Sequence, residues 1–345
     1  MFSIFRTFFM IGLFLLLQTS PALSCSRLLY TAGDGQVFTG RSMDWIEDLK
    51  SDIWAFPRDM KRNGGVGKNS IVWVSKYGSI ILSGYNVAST DGMNEKGLVA
   101  NLLYLAKSDY GKSNSKPDLS VGAWVQYVLD NYSNVEEAVA AMRTEPFHII
   151  AADLPNGSAP SLHLSISDPT GDSAIFEYIG GKLTIHHGKE FTVMTNEPTY
   201  DKQLALNEYW KEIGGMTMLP GTDRASDRYV RASFYVNALP KFKDNRKAVA
   251  ATLSVIRNVS VPLGITTPSQ PNISTTIWRT VADQKNRIYY YESAFSPNVF
   301  WIDLNNIDFS KGQKARKISL KNHPVLAGEQ SGAFVEAEPF KWLAP

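Results

Sequence analysis

The sequence predicts an α+β fold in which two antiparallel β-sheets stack against each other and helices cover their outer faces. Two observations support this prediction. Strand and helix patterns come in blocks, in the order strands, two helices, strands, helices, strands, and not as alternating strand–helix pairs. Turn signals join many of the neighbouring strands, which is typical of antiparallel pairing. The pattern therefore disfavours a parallel α/β sheet.

The first block of strands opens with a hairpin. Runs with strand character at residues 27–30 and 36–45 flank a Gly-Asp-Gly turn signal at 33–35. The block continues with strands at 53–56, 71–74, 79–82 and 98–104, and the polar run 89–97 is predicted to be a turn before the last of them.

The helical period follows this block. Apolar residues at i, i+3, i+4, i+7, i+8 and i+11 between residues 121 and 132 predict an amphipathic helix. Residues 133–136 fit a capping box, which starts a second helix that ends at about Arg143. The remaining elements are predicted in this order: strands at 161–167, 174–178, 183–186 and 191–195, helices at 200–213, 224–239 and 246–255, and strands at 276–281, 287–292 and 299–304.

The first 24 residues have the layout of a secretory leader. Arg6 lies in a short polar start, and the apolar run at 8–17 is too short to span a bilayer. Ala22 and Ser24 occupy the minus-three and minus-one positions of a cut before Cys25. We therefore expect a cleaved signal peptide over residues 1–24, and a periplasmic or secreted mature protein that does not span a membrane.

Composition excludes several classes of function. The chain has 44% hydrophobic and 20% charged residues and a formal net charge of +2, without a basic cluster, so a nucleic-acid partner has no support. The five histidines show no metal-ligand spacing, and one cysteine cannot form an internal disulfide. We therefore predict neither a metal nor an organic cofactor.

Cys25 is the candidate nucleophile of the predicted site. As the first residue of the mature chain it would carry a thiol nucleophile and an α-amine base together. Two alternatives remain open, namely a buried structural cysteine and a lipoprotein anchor acylated at Cys25. The hairpin places Arg41 and Asp44 near Cys25, where a guanidinium could favour the thiolate and a carboxylate could hold the amine, although a surface ion pair is also compatible.

Two residues further along the chain are weaker candidates. Asn196 follows an apolar strand and could donate a hydrogen bond to an oxyanion, or it could form the turn before Glu197-Pro198. Arg228 lies in a helical pattern, where an arginine is by default exposed.

An ordered set of motifs along almost the whole mature chain resembles the choloylglycine hydrolase family, which includes penicillin V acylases and conjugated bile salt hydrolases. The motifs are Cys25, Gly40-Arg41-Ser42-Met43-Asp44, Asp91 to Leu98, Thr195-Asn196-Glu197-Pro198-Thr199 and Ser226 to Arg231. The resemblance implies the four-layer αββα fold of the N-terminal nucleophile hydrolase superfamily, as one domain over residues 25–345.

The resemblance also implies an activity and a role for each matching residue. The chain is expected to be an amidohydrolase that acts on linear amide C–N bonds of small molecules, without a cofactor. Cys25 is the implied nucleophile, with Arg41, Asp44 and Arg228 as its charged partners. Asn196 and the main-chain N–H of Tyr104 are the implied oxyanion donors.

The resemblance narrows the choice of substrate without deciding it. Tyr104 stands where penicillin V acylases carry Tyr and bile salt hydrolases carry Asn. Phenoxyacetyl-type amides such as penicillin V are therefore expected, with acyl homoserine lactones also compatible and conjugated bile salts as the alternative. Trp45, Trp54, Tyr85 and Tyr104 are candidates to line an acyl pocket, or to be core residues. The leader and a short segment before Arg228 resemble Gram-negative members, and a homo-oligomer remains open.

Overall fold

The computed structural model describes residues 24–113, 115–158, 160–266 and 274–344. The predicted leader before residue 24 lies outside these residues. The elements are β1 Ser26–Thr31, β2 Val37–Trp45, β3 Asp52–Phe56, β4 Lys61–Asn63, β5 Val72–Val74, β6 Ser79–Gly84, β7 Ala88–Asn94, β8 Val99–Tyr104, β9 Asp118–Ser120, α1 Trp124–Asn131, α2 Val135–Met142, β10 His148–Ile150, β11 Leu162–Ser167, β12 Ser173–Ile179, β13 Lys182–His187, β14 Val193–Met194, α3 Tyr200–Ile213, α4 Ala225–Ala238, α5 Asn245–Asn258, β15 Thr275–Asp283, β16 Ile288–Ser293, β17 Val299–Asp303, β18 Arg316–Ser319, β19 Gly328–Glu329 and β20 Val335–Glu336.

The predicted hairpin forms the second and third strands of a seven-stranded sheet. Its order is β14-β1-β2-β15-β16-β17-β19, and all pairs are antiparallel except β17 with β19. β1 and β2 pair in the register Ser26 with Ser42 and Arg27 with Arg41. Gly40 on β2 allows α5 to pack closely, since a Cβ atom at Gly40 would lie 3.0 Å from Cγ2 of Thr252.

The second large sheet has nine strands in the order β13-β12-β11-β8-β7-β6-β3-β18-β20. All of its pairs are antiparallel. Two small two-stranded sheets, β9 with β10 and β4 with β5, lie outside the main layers. The prediction of two stacked antiparallel sheets is confirmed.

Helices cover the outer face of each large sheet. α1 and α2 pack on the nine-stranded sheet, and α4 and α5 pack on the seven-stranded sheet, with α3 against α4. The apolar period of α1 faces the sheet, because Trp124, Val128 and Leu129 are at most 1% exposed. Burying such side chains contributes about 1.5–3 kcal/mol each. The four layers form the predicted αββα arrangement, and no helix in the described ranges is long and apolar enough to cross a membrane.

Polar side chains bridge the space between the two sheets. Side chains of the seven-stranded sheet reach across it to the nine-stranded sheet: Thr39 Oγ1 lies 2.8 Å from Ser167 Oγ, and Arg41 Nη2 donates to the Leu102 carbonyl at 2.7 Å. Arg27 likewise donates to Ser173 Oγ at 3.1 Å. These bonds satisfy polar groups that would otherwise be costly to bury, and they fix the two sheets relative to each other.

The structure corrects two of the predicted elements. The polar run 89–97 is not a turn, because β7 occupies Ala88–Asn94 and only its end turns, at Gly97 with φ +82°. The polar side chains of β7 point into buried hydrogen bonds, such as Ser89 Oγ to Gln126 Oε1 at 3.2 Å. The cap of α2 is Asn134 and not Ser133, since the Asn134 side chain accepts from the Glu137 N–H.

Sequence patterns also missed several short strands. β4, β9, β10, β18, β19 and β20 have at most four residues each, which is too short for an alternating pattern. The strand predicted at 191–195 is reduced to the two residues of β14.

Candidate active site

Cys25 lies immediately before β1 and is buried, with 2% of its surface exposed. Its Sγ is 3.7 Å from the Asp44 carbonyl oxygen and 3.8 Å from Met43 Sδ. The β1–β2 pairing produces this contact, because the end of β2 passes the start of β1. Burial raises the pKa of the Cys25 thiol, and the positive charge of nearby Arg41 opposes that rise.

Arg228 holds the main chain around Cys25. Its Nη1 donates to the Cys25 carbonyl at 2.7 Å and to Ser26 Oγ, and its Nη2 donates to Asn196 Oδ1 at 2.8 Å. The same guanidinium lies 3.8 Å from Asp44 Oδ2. Arg228 is fully buried, so the default expectation of an exposed helical arginine is wrong. It lies in the first turn of α4, which packs on β1.

Hydrogen-bond partners distinguish the oxygen from the nitrogen of the Asn196 side-chain amide. Oδ1 accepts from the Cys25 backbone nitrogen and from Arg228, so it must be the oxygen. Nδ2 donates to the Tyr104 carbonyl at 2.7 Å, which leaves one N–H for another acceptor. Gln203 holds the Asn196 carbonyl at 2.6 Å. Asn196 is therefore fixed through its main chain and its side chain together.

Tyr104 ends β8 beside Asn196. The N–H and C=O of one residue in an antiparallel strand point to the same side. Because the Tyr104 carbonyl accepts from Asn196 Nδ2, the Tyr104 N–H also points to the Asn196 side of the strand. The main chain of Tyr104 and the amide of Asn196 thus offer two N–H donors close to each other.

Asp44 provides a buried carboxylate next to Cys25. Oδ1 accepts from Thr276 Oγ1 at 2.6 Å and Oδ2 from Ser42 Oγ at 3.4 Å, with Arg228 as the nearest cation. Burial raises the pKa of the Asp44 carboxyl from 3.8 to about 6, and the charge of Arg228 limits that rise.

Arg41 lies between the two sheets on the other side of Cys25. Its Nη1 is 3.6 Å from Asp91 Oδ2, and its guanidinium stacks over Trp278 at 4.8 Å. Asp91 is itself bound by Asn101 Nδ2 at 2.7 Å and by the Tyr289 hydroxyl. Arg41 is therefore an anchored positive charge and not half of a surface ion pair.

A pocket with mainly apolar walls opens beside the sulfur. Trp45, Tyr85 and Tyr104 supply its aromatic walls, and the Trp45 and Tyr104 rings are 6.3 Å apart, edge to face. Trp45 Nε1 donates to the Tyr85 hydroxyl at 2.9 Å, and that hydroxyl donates to Glu47 Oε1 at 2.5 Å. The complete lining is Cys25, Arg41, Met43, Trp45, Leu49, Gly84, Tyr85, Ala88, Thr90, Leu102, Tyr104, Leu154 and Leu162.

The structure brings together all of the predicted site residues from distant parts of the chain: Cys25, Arg41, Asp44, Trp45, Tyr85, Tyr104, Asn196 and Arg228. Trp54 is the exception among the pocket candidates. It is buried in the core under the nine-stranded sheet, 5.6 Å from the Phe56 ring. Sequence reasoning missed Gln203, Thr276 and Leu154, for which no local pattern points to this site.

Metal ligation finds no support in the described parts of the chain, where no group of three or more His, Cys, Asp or Glu side chains is placed to hold an ion. The polar groups around Cys25 bind one another.

Comparisons with known proteins identify the family of this chain. A family model described as linear amide C–N hydrolases, choloylglycine hydrolase family, matches residues 25–316. The chain is 46% identical to the penicillin V acylase of Pectobacterium atrosepticum, over 95% of this chain and 94% of that protein. It is 27% identical to a bile salt hydrolase/transferase of Clostridium perfringens, over 87% of this chain and 99% of that protein.

A solved structure agrees with these relatives. The penicillin V acylase of Agrobacterium tumefaciens superposes with a TM-score of 0.87 and 53% sequence identity, over 93% of this chain and 100% of that one. The chain therefore belongs to the choloylglycine hydrolase family, and it is a hydrolase of linear amide C–N bonds.

Proposed function

We propose that this protein is a penicillin V acylase-type amidohydrolase whose nucleophile is the thiol of Cys25. One observation carries the proposal: the Cys25 nitrogen, the Asn196 amide and the Arg228 guanidinium are hydrogen-bonded into one cluster, beside a pocket with aromatic walls. The names of the two penicillin V acylases at 46% and 53% identity support the choice of substrate.

The mechanism begins with removal of the leader. In the unprocessed chain the Cys25 nitrogen belongs to a peptide bond with Ser24 and cannot accept a proton. Cleavage would leave an α-amine in the same place, where Asn196 Oδ1 accepts its N–H. With a reference pKa of about 7.7–8.0, this amine is a base near neutral pH. Because burial raises the pKa of the thiol, sulfur needs such a base.

Acylation then consumes the amide. The α-amine takes the thiol proton, sulfur attacks the amide carbonyl carbon, and the carbonyl oxygen becomes an oxyanion. Asn196 Nδ2 and the Tyr104 N–H donate to that oxyanion. The ammonium returns the proton to the leaving nitrogen, the C–N bond breaks, and a thioester on Cys25 remains. Water, deprotonated by the same amine, hydrolyses the thioester and restores the thiol.

The charged neighbours hold this arrangement. Asp44 balances the charge of Arg228 and, as a carboxylate, favours the protonated form of the amine during the reaction. Arg41 favours the thiolate form of Cys25.

The pocket supports an aromatic or long apolar acyl group. Trp45, Tyr85 and Tyr104 offer ring faces and edges to a phenoxyacetyl group, as in penicillin V. The acyl chains of acyl homoserine lactones are compatible with the same apolar walls. Conjugated bile salts are the second candidate, since a bile salt hydrolase/transferase at 27% identity aligns over 87% of the chain.

The leader places the mature enzyme, in this proposal, in the periplasm or outside the cell of a Gram-negative bacterium. The lipoprotein alternative differs in the modification of Cys25. Intact mass and N-terminal sequencing of the protein secreted by its host are expected to show an unmodified Cys25 as first residue. A diacylglyceryl adduct, or any other first residue, would contradict the mechanism.

Substrate choice is tested by hydrolysis of penicillin V, an acyl homoserine lactone and glycocholate by that mature protein. We expect the highest kcat/KM with penicillin V, and a Cys25→Ala variant of the same preparation measures contaminating activity. A higher kcat/KM with glycocholate would replace penicillin V by the second candidate.

The rate is expected to fall in two steps as the pH is lowered. The α-amine, with its reference pKa of about 7.7–8.0, must be neutral to accept the thiol proton. Asp44, whose pKa burial raises to about 6, is charged above that pH and neutral below it. A plot of log kcat/KM against pH should therefore have a slope of about one between about pH 6 and about pH 7.7, and a slope of about two below about pH 6.

Unfolding does not account for the second step. A carboxyl whose pKa is higher in the folded chain than in the unfolded chain binds its proton more tightly when folded. The contribution of Asp44 to stability therefore increases as the pH falls through about 6 towards 3.8, and it is lost as the pH rises through about 6. Tm measured beside the rate should not fall on account of Asp44. A slope of one at all pH values below about 7.7 would contradict a role for the Asp44 charge in the reaction.

Removing the Tyr85 hydroxyl should weaken substrate binding more than chemistry. Tyr85→Phe keeps a ring in the pocket wall but leaves the buried Trp45 N–H without its acceptor, so the Trp45 ring loses its fixed orientation. We expect KM for penicillin V to rise about 3- to 10-fold and kcat to change less than about twofold. Tyr209→Phe, on the exposed face of α3, is the matched control. An unchanged KM would contradict Trp45 as part of the acyl site.

A further inference from the structure

His163 is a fully buried histidine that the mechanism does not use. It lies in β11, one residue after the pocket residue Leu162. Its Nδ1 is 3.0 Å from Glu177 Oε1, and its Nε2 is 2.9 Å from the Thr195 carbonyl oxygen. Both ring nitrogens thus have a hydrogen-bond partner inside the protein.

This geometry requires a proton on Nε2, because the Thr195 carbonyl oxygen can only accept a hydrogen bond. Nδ1 shares one hydrogen bond with the Glu177 carboxyl group, which holds the ring from its other side. The second oxygen of Glu177 accepts from the Tyr200 N–H at 3.0 Å, at the first residue of α3, where a negative charge is favourable.

The pair is connected to the site through one carbonyl. Thr195 directly precedes Asn196, so the bond from His163 fixes the carbonyl of the peptide that leads into Asn196. Gln203 of α3 fixes the Asn196 carbonyl at 2.6 Å. The peptide groups on both sides of the Asn196 Cα atom are therefore held, the first by His163 and the second by Gln203.

We propose that His163, held by its buried hydrogen bond to Glu177, positions Asn196 through the Thr195 carbonyl, so that the free N–H of Asn196 points at the oxyanion. This inference rests on the proposed function, which gives Asn196 that role. His163 is a positioning residue, since it touches neither the sulfur nor the pocket in the described structure. A small rotation of the 195–196 peptide would move Nδ2 away from the oxyanion while the acyl pocket stays unchanged.

Two substitutions separate the two nitrogens of His163. The side-chain nitrogen of glutamine can occupy the place of Nε2 and donate to the Thr195 carbonyl, whereas that of asparagine reaches only the place of Nδ1. Each is combined with Glu177→Gln, which avoids leaving a buried carboxyl group without its histidine partner and can still accept from the Tyr200 N–H. The variants His163→Gln/Glu177→Gln and His163→Asn/Glu177→Gln therefore differ by one methylene and one hydrogen bond.

We expect the glutamine variant to keep kcat for penicillin V within about threefold of the wild type. The asparagine variant should lose about 10- to 100-fold in kcat, with KM within about twofold, because binding of the acyl group is untouched. Equal kcat losses in both variants, or a loss confined to KM, would overturn the positioning role.

Nuclear magnetic resonance tests the same claim without substrate. In wild-type protein labelled with 15N, His163 is expected to show a hydrogen-bonded proton on Nε2, and its signal is assigned by its loss in the variants. The Asn196 side-chain amide signals, assigned with Asn196→Asp, should shift in the asparagine variant and stay in place in the glutamine variant. The absence of a proton on His163 Nε2, or equal shifts of Asn196 in both variants, would overturn the proposal. If the wild type hydrolysed no amide, the proposed function would fail, and these signals would still decide whether His163 positions Asn196.

Discussion

Mature protein carrying Cys25→Ser should hydrolyse penicillin V at least about 10³-fold more slowly than the wild type. A serine hydroxyl is a much weaker acid than a thiol, and its oxygen would lie in a site that already disfavours ionisation, since burial raises the pKa of the Cys25 thiol. The α-amine of residue 25 is sufficient to deprotonate a thiol but weak against a hydroxyl. KM should change little, because the walls of the pocket remain.

Processing must be checked in the same preparation, because the substitution changes the residue after the cut. Intact mass identifies the first residue, and only protein that begins at residue 25 is assayed. Cys25→Ala, which has no nucleophile, gives the background rate of the assay. Equal Tm values in the three proteins exclude unfolding as the cause of a lower rate. Undiminished turnover by correctly processed serine protein would remove the thiol from the mechanism.

Local patterns were sufficient to predict the elements that position Cys25. The turn at residues 33–35 and the strands on either side determine the β1–β2 register, and this register brings Asp44 to the sulfur. The apolar period of α1 correctly predicted a helix with one buried face. These predictions rest on interactions between residues that are close in sequence.

Long-range polar contacts account for most of the errors. β7 looked like a turn because Asp91 and Asn94 are polar, yet both are buried and bound by groups from other elements. Arg228 looked exposed for the same reason, although its partners Cys25 and Asn196 lie 203 and 32 residues away. Whether a polar side chain is buried depends on partners that a local pattern does not contain.

The pocket residues also divide into those that a local pattern predicts and those that depend on long-range contacts. Trp45 could be placed near Cys25 because it follows Asp44 on β2. Leu162 lies on β11, where it pairs with Tyr104 of β8, and Leu154 lies in the segment before β11. Neither carries a local signal that points to Cys25. Trp54 has the composition of a pocket residue but lies in β3, where it contributes to the core under that sheet.

Asn196→Asp should lower kcat for penicillin V by about 10²–10³-fold, the usual effect of losing one oxyanion donor. The aspartate keeps an oxygen where Asn196 Oδ1 accepts from the Cys25 nitrogen and from Arg228. It replaces the Nδ2 donor by an acceptor, which faces the Tyr104 carbonyl and the developing oxyanion. The variant therefore removes the donor while it keeps the anchor of the α-amine.

Asn196→Ala separates the two roles of the amide. It removes the donor and also the acceptor, so the buried Arg228 Nη2 loses its partner, which typically costs about 1–3 kcal/mol. We expect a similar or larger loss of kcat than in Asn196→Asp, together with a lower Tm because Arg228 loses its acceptor. Asn237→Ala, on the exposed side of α4, is the control for both measurements. Should Asn196→Asp turn over substrate at the wild-type rate, the oxyanion would have to be held by other groups, with the Tyr104 N–H as the first candidate.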